Sequence, residues 1–187
     1  MQKIAIIGGG IGGLCTAIAL QRHTPHQVIV YESAAEIKNV GAGLLLAANA
    51  LKALDYIGIK KEVLSVGHLQ NTFAIIDQNG KIITKTNRER IAAKFDTEDN
   101  FAVHRAELHK CLVAQLKPNT LQLNSRCIEV VQTEGKVKAV ITEGDQPYTV
   151  SFDALIAADG IHSVVRKKYA PYSQIRYAGY TCWRGVT

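Results

Sequence analysis

Two short stretches of the chain carry residues whose spacing suits one kind of chemistry, the holding of a nucleotide-like ligand by backbone and carboxylate. The first is "GGGIGG", residues 8–13, where Gly8, Gly10 and Gly13 form a G-x-G-x-x-G pattern behind the apolar run "KIAII". In such a turn the first glycine permits a tight reversal, the second lets the backbone approach a pyrophosphate, and the third lets helix and strand pack closely. The helix that follows presents N–H groups and the positive end of its dipole to phosphate. Glu32 ends the next apolar run, "QVIVYE". Its carboxylate can accept hydrogen bonds from ribose hydroxyls and would repel a 2′-phosphate. FAD and NAD share an adenosine ribose and a pyrophosphate, so this turn alone does not separate them.

The second stretch is "LIAADGIHSVVR", residues 155–166. Asp159 falls at the carboxyl end of an apolar run, where open α/β sheets place ligands. Gly160 removes a side chain where a ligand or another backbone comes close. Asp159 can accept hydrogen bonds from a polyol or a ribose. An ordinary Asp-Gly turn entering a helix through His162 and Ser163 uses the same residues, and the residues alone leave both readings open.

Other chemistries find little support. Cys15, Cys111, Cys127 and Cys182 show no C-x-x-C and no metal-ligand spacing, and His104 and His109 do not have the H-E-x-x-H arrangement. Cys15 falls in a helical apolar pattern and is expected to be buried; reduced thiols fit a cytoplasmic protein. No Ser-His-Asp or Cys-His nucleophile arrangement is apparent. The formal charge is +6, but the basic residues are scattered and "RKK" at 166–168 is the one tight cluster, so no nucleic-acid partner is expected. "MQKIAIIGGGIGGLCTAIAL" begins like a signal peptide, yet glycines fill its middle and a strand–turn–helix accounts for it. No membrane-spanning run is expected. With 47% apolar and 20% charged residues, the chain suits an ordinary globular core.

The elements that must position these residues follow from periodicity. "KIAII" and "QVIVYE" read as strands, with a helix from the glycine turn to about Arg22, together a βαβ unit of a parallel sheet. A loop carries "VGAGLLL" (40–46), and "ANALKALDYIG" (48–58) is a short helix stopped by Gly58. "LQNTFAIID" (69–77) and "KIITKT" (81–86) form a hairpin across Asn79-Gly80. Residues 87–100 read as a surface loop, and "HRAELHKCLVAQL" (104–116) as a helix. From "LQLN" to "YTVSF" the chain forms an antiparallel meander, and "ALIAAD" (154–159) is apolar throughout like a central parallel strand. "QIRYAGYTCWRGVT" begins another strand-like run.

"GGGIGG" with Glu32, "VGAGLLLAANALKALDYIG", "HRAEL" and "ALIAADGIHSVVR", in that order, resemble the FAD-dependent aromatic-ring hydroxylases. These are single-component flavoprotein monooxygenases of the salicylate, p-hydroxybenzoate and urate hydroxylase type. The resemblance extends over essentially the whole chain, and "YAGYTCWRG" is similar to the family's entry into its substrate-domain sheet. It implies an α/β, Rossmann-like FAD-binding fold, in the two-layer arrangement of glutathione reductase, with an inserted antiparallel β-meander. The FAD-binding domain would cover residues 1–170, with the hairpin at about 69–86 and the meander at about 120–151; residues 171–187 would start the substrate-domain sheet.

The resemblance also implies roles. Gly8, Gly10 and Gly13 would lie under the FAD pyrophosphate, Glu32 would bind the adenosine ribose, and Ile11, Gly12 and Ser33 would be further cofactor-binding residues. Gly41 to Gly43 would admit the cofactor near its ribityl–flavin end. Arg105 would bring a fixed positive charge to the pyrophosphate or ribityl region; a helix-start arginine facing water is the plainer reading. The backbone at Cys127 would lie beside the adenine. Asp159 and Gly160 match the family's Asp-Gly motif, associated with both FAD and reduced pyridine nucleotide. Ala48 stands where the family has a proline.

The implied activity uses NAD(P)H and O₂ to hydroxylate a small aromatic or related ring, in the cytoplasm, with a homo-oligomer among the arrangements open to it. The flavin carries that chemistry, and no catalytic side chain is assigned. The family's third motif, a Gly-Asp contacting the ribityl chain, has no counterpart before Thr187. The chain is therefore expected to be the N-terminal part of a longer monooxygenase, inactive alone. Two other readings are an NAD-dependent dehydrogenase, resting on the first turn only, and a non-catalytic FAD-binding module.

Overall fold

The computed structural model describes residues 1–37, 43–98, 100–144 and 146–182. Its elements begin with β1 (Lys3–Ile7), α1 (Ile11–His23), β2 (Gln27–Tyr31), β3 (Gly43–Leu46), α2 (Ala48–Tyr56) and α3 (Lys60–Leu64). Then come β4 (Gly67–Leu69), β5 (Ala74–Ile76), β6 (Ile82–Lys85), α4 (Arg88–Phe95), β7 (Phe101–His104) and α5 (Arg105–Ala114). The last are β8 (Leu121–Gln122), β9 (Ser125–Thr133), β10 (Lys136–Glu143), β11 (Gln146–Phe152), β12 (Ala154–Ala157) and α6 (Val164–Tyr169). Two compact units result, Met1–Lys38 with Leu112–Trp183, and Asn39–Cys111 with Arg184–Thr187.

The first unit is built on a parallel sheet of order β12-β1-β2-β8. Alternation along its strands feeds two cores. Ile6, Val28 and Val30 pack with Ala17 of α1. Ala5, Ile7 and Tyr31 turn the other way and pack against Cys127, Val130, Ala139, Ile141 and Phe152 of the antiparallel sheet β11-β10-β9. Phe152 meets Tyr31 edge-on, ring centres 5.9 Å apart. At the far end of β1, Asp153 accepts from the backbone N–H of Lys3 at 2.7 Å and pairs with the Lys136 ammonium.

Within this unit two strand assignments differ from the sequence reading. "LQLN" does not join the meander: β8 lies parallel beside β2, with Val30↔Leu121 and Tyr31↔Gln122 in register. Its alternation marks a strand but carries no information on direction or partner. "ALIAAD" gives β12, which pairs only with β1 and sits at the sheet edge, half-buried rather than central, among the described residues. Cys15 is half-buried on α1 rather than fully buried, being nearer the margin of the helix face that packs on the sheet. Residues 171–182 contain no strand, and no described segment offers them a ladder partner.

The second unit holds the antiparallel sheet β3-β7-β4 and the separate pair β5-β6. Part of the expected loop "VGAGLLL" is thus strand β3, because Leu44 and Leu46 alternate inward against β7; Val40 to Ala42 lie outside the described residues. Leu69 belongs to β4, not to the hairpin, which is shorter than expected. Its turn is organised by Asp77, whose side chain accepts from the N–H groups of Asn79 and Lys81 at 2.9 and 2.8 Å. The expected loop at 87–100 contains helix α4. Its apolar face is short, Ile91, Ala92 and Phe95, with none of them fully buried, and local capping marks its ends: Asn87 accepts from Arg90 N–H at 2.8 Å, and Asp96 ends the helix in the left-handed region at φ +49°.

Candidate functional site

The carboxyl ends of β1, β2 and β12 meet the start of β9 around a cavity of about 350 Å³ in the first unit. Parallel strands ending together leave a crevice that their following loops line. The three ends are tied to one another: Gly8 N–H donates to Tyr31 O and Ala158 N–H to Ile7 O, both at 2.8 Å. Ser125 N–H donates to Glu32 O at 2.8 Å, which fixes the β9 wall to the end of β2.

The glycine turn closes by backbone contact. Gly8 has φ +106°, a region side chains disfavour, and a Cβ there would lie 2.4 Å from Ala158 O. A Cβ on Gly13 would lie 2.0 Å from Gly8 O. At Gly10 the space is open, with nothing outside its own stretch of backbone within 4 Å of where a Cβ would stand. Gly10 is also the N-cap of α1, which has no side-chain cap and no acidic residue in its first turn. Among the described residues no side chain caps the helix start, which lies beside an open space. These features fit a pyrophosphate.

Glu32 is held in place rather than dangling. Its Oε2 accepts from Gly9 N–H at 2.7 Å, and Oε1 accepts from Ala34 N–H at 2.8 Å and from the Ser33 hydroxyl at 3.2 Å. A carboxylate oxygen accepts about two hydrogen bonds, so Oε2 retains capacity for a ligand hydroxyl. Asp159 is oriented in the same manner, its Oδ2 accepting from Val164 N–H at 2.8 Å. Ser163, buried, accepts from Arg166 N–H at 2.9 Å, and the Arg166 guanidinium donates to the carbonyls of Gly160 and Ile161.

The structure thus brings Gly8, Gly10, Glu32, Ser33, Cys127, Asp159 and Gly160 to one cavity. Ile11, Gly12 and Gly13 form the first turn of α1. Gly12 lines a second cavity of about 540 Å³ with Thr16, Ser163 and Arg166, which Asp159 and Gly160 also border. Gly43 and Arg105 stand in the second unit, where Gly43 is the register partner of His104 and Arg105 opens α5, exposed. Gly41 lies outside the described residues. Burial, with the Asp159 charge adding to it, pushes the Cys127 thiol up to about 11, so it stays protonated at neutral pH. Burial and nearby Tyr148 push Tyr31 up to about 12. Neither group is set for acid–base work at neutral pH. No cluster of His, Cys, Asp and Glu among the described residues could hold a metal, and no helix among them is long and apolar enough to cross a membrane.

The sequence reading missed Tyr31, Ser125, Arg126 and His162, which also line the cavity. For the β9 residues a signal existed: alternation buries Ser125 and Cys127 and exposes Arg126 between them.

Comparison with known proteins decides between the nucleotides. Residues 1–175 match the family described as FAD binding domain. The chain belongs to that family. This does not favour the NAD-dependent dehydrogenase reading, which used the first turn alone. The phenazine 1,6-dicarboxylic acid hydroxylase PhzS of Lysobacter antibioticus is 33% identical over 98% of this chain and 47% of its own length. An FAD-dependent urate hydroxylase of Mycolicibacterium vanbaalenii is 31% identical over 99% of this chain and 47% of its own length. Klebsiella pneumoniae HpxO, solved with FAD and uric acid, superposes with a TM-score of 0.75 at 26% identity, covering 89% of this chain and 41% of HpxO. Both curated relatives are named as hydroxylases, one of them FAD-dependent, and this FAD-binding-domain chain spans about half the length of the curated relatives it matches.

Proposed function

We propose that this chain is the FAD-binding part of a monooxygenase that uses NAD(P)H and O₂ to hydroxylate a small aromatic or related ring. The observation that carries the reading is the single cavity shared by the Gly8–Gly10 turn, Glu32 and the Asp159–Gly160 turn. Flavin supplies the redox chemistry when bound. The chain's own residues bind and orient it. The α1 N-terminus at Gly10 receives the pyrophosphate, with Ile11, Gly12 and Gly13 donating N–H groups, and Glu32 with Ser33 takes the adenosine ribose. The Cys127 backbone borders the adenine, and Asp159 accepts from a hydroxyl of the cofactor. Gly43 is assigned to the ribityl–flavin end and Arg105 to the pyrophosphate or ribityl region.

In this reading residues 1–170 form the FAD-binding domain and 171–187 the beginning of the substrate-domain sheet. The four thiols suit a reducing, cytoplasmic setting. The test is direct. The purified chain, titrated with FAD, is expected to shift the flavin absorbance and quench its fluorescence. A protein extended to the relatives' length is expected to oxidise NAD(P)H in the presence of a ring substrate. A chain, short or extended, that takes up no FAD would overturn the reading.

A further inference from the structure

We infer that Arg126 is a further cofactor-binding residue, its guanidinium lying over the adenine base; this rests on the FAD reading above. Among the described residues, Arg126 is the one with a permanent positive charge on the cavity wall, which also carries the carboxylates of Glu32 and Asp159. Its side chain makes no hydrogen bond or ion pair among the described residues. Glu32 in the same wall is instead held by the N–H groups of Gly9 and Ala34 and by the Ser33 hydroxyl. The Arg126 backbone, by contrast, is fixed: its carbonyl accepts from the Thr142 hydroxyl at 3.4 Å, and its neighbour Ser125 donates to Glu32 O. A pinned backbone carrying an unpartnered, exposed cation at a cavity rim has the makings of a binding group.

The other parts of the dinucleotide have their partners elsewhere. The pyrophosphate finds the uncapped start of α1, and the ribose finds Glu32. The β9 wall is bonded to the end of β2 at Glu32 and Ala34, since Asn124 N–H donates to Ala34 O at 2.9 Å. Arg126 therefore belongs to the ribose-and-base end of the cavity. A planar, weakly hydrated guanidinium matches the flat π-face of a purine, an arrangement a lysine ammonium copies poorly.

The experiment titrates FAD, and separately ADP, into the wild-type chain and into Arg126→Ala, Arg126→Lys and Arg126→Gln. Arg126→Ala and Arg126→Gln are expected to weaken both ligands about fivefold. Arg126→Lys is expected to recover only a minor part of that loss. Thermal melting without ligand should be unchanged, since the side chain is exposed, and the Gln variant stands in if the Ala variant misfolds. Unchanged affinity in the Ala and Gln variants overturns the inference and leaves the FAD reading intact. Full recovery by Arg126→Lys overturns the base contact in favour of a simple charge effect on phosphate. A wild-type chain that binds neither ligand removes the FAD reading and this inference with it.

Discussion

The chain makes a strand–glycine–helix turn twice, and the two turns are closed by opposite means. At the first, backbone packs on backbone: Gly8 and Gly13 leave no room for a Cβ, and no side chain caps α1. At the second, side chains do the closing. Asp159 accepts from Val164 N–H, Ser163 accepts from Arg166 N–H, and the Arg166 guanidinium donates to the carbonyls of Gly160 and Ile161. The consequence is a division of labour. A helix end that no side chain caps has N–H groups to give an anion. A helix end capped by its own Asp and Ser has given away the N–H groups of Val164 and Arg166, and it presents a carboxylate to the cavity.

The largest expected effect tests the packing of the first turn. Gly13→Ala places a Cβ 2.0 Å from a backbone oxygen that no rotamer change can move. It is expected to cost about 3 kcal/mol or more in a urea unfolding curve, because a close-packed interior resists overfilling. A cost below about 1 kcal/mol would mean the turn is not closed by this contact. Gly10→Ala separates binding from folding. Its Cβ meets nothing outside its own stretch of backbone, so stability should fall by less than about 1 kcal/mol, the range for a changed N-cap. FAD affinity should fall by about a hundredfold, roughly 2.7 kcal/mol, since the methyl would occupy the phosphate's place. The reverse pattern, a stability loss with intact affinity, would erase the distinction between the two turns.

How much of this was legible beforehand depends on whether the signal was local. The βαβ start, α2 with its stop at Gly58, the meander strands β9 to β11 and the helix α5 follow from periodicity and turn residues a few positions apart. The glycine spacing and Glu32 were readable for the same reason. Partners were not. Nothing in "LQLN" says that β8 pairs with β2, and nothing in "ALIAAD" says that β12 is an edge, because both depend on which strand arrives beside them. Helix α4 was hidden because its apolar face, Ile91, Ala92 and Phe95, is short and set among charged residues, and its start depends on capping by Asn87. Arg126 was hidden because an exposed arginine on a strand is unremarkable until Glu32 and the β9 start are bonded together.

The smaller effects bear on the second turn. Gly160 has φ +73° with open space around a Cβ, so Gly160→Ala pays only the left-handed backbone strain, about 1 to 2 kcal/mol. Ser163→Ala is the subtler test. The buried hydroxyl is the acceptor for Arg166 N–H, and its loss should cost about 1 kcal/mol. Asp159 still holds Val164 N–H in this variant, so α6 should keep its start and the cavity its carboxylate. FAD affinity is then expected to change by less than about twofold, within the spread expected for a change away from the ligand. Calorimetric titration of Ser163→Ala beside Gly10→Ala reads the contrast in one experiment. A loss of affinity at Ser163 comparable with that at Gly10 would show that the second helix start also serves the anion, and the two turns would be alike in function despite their different closures.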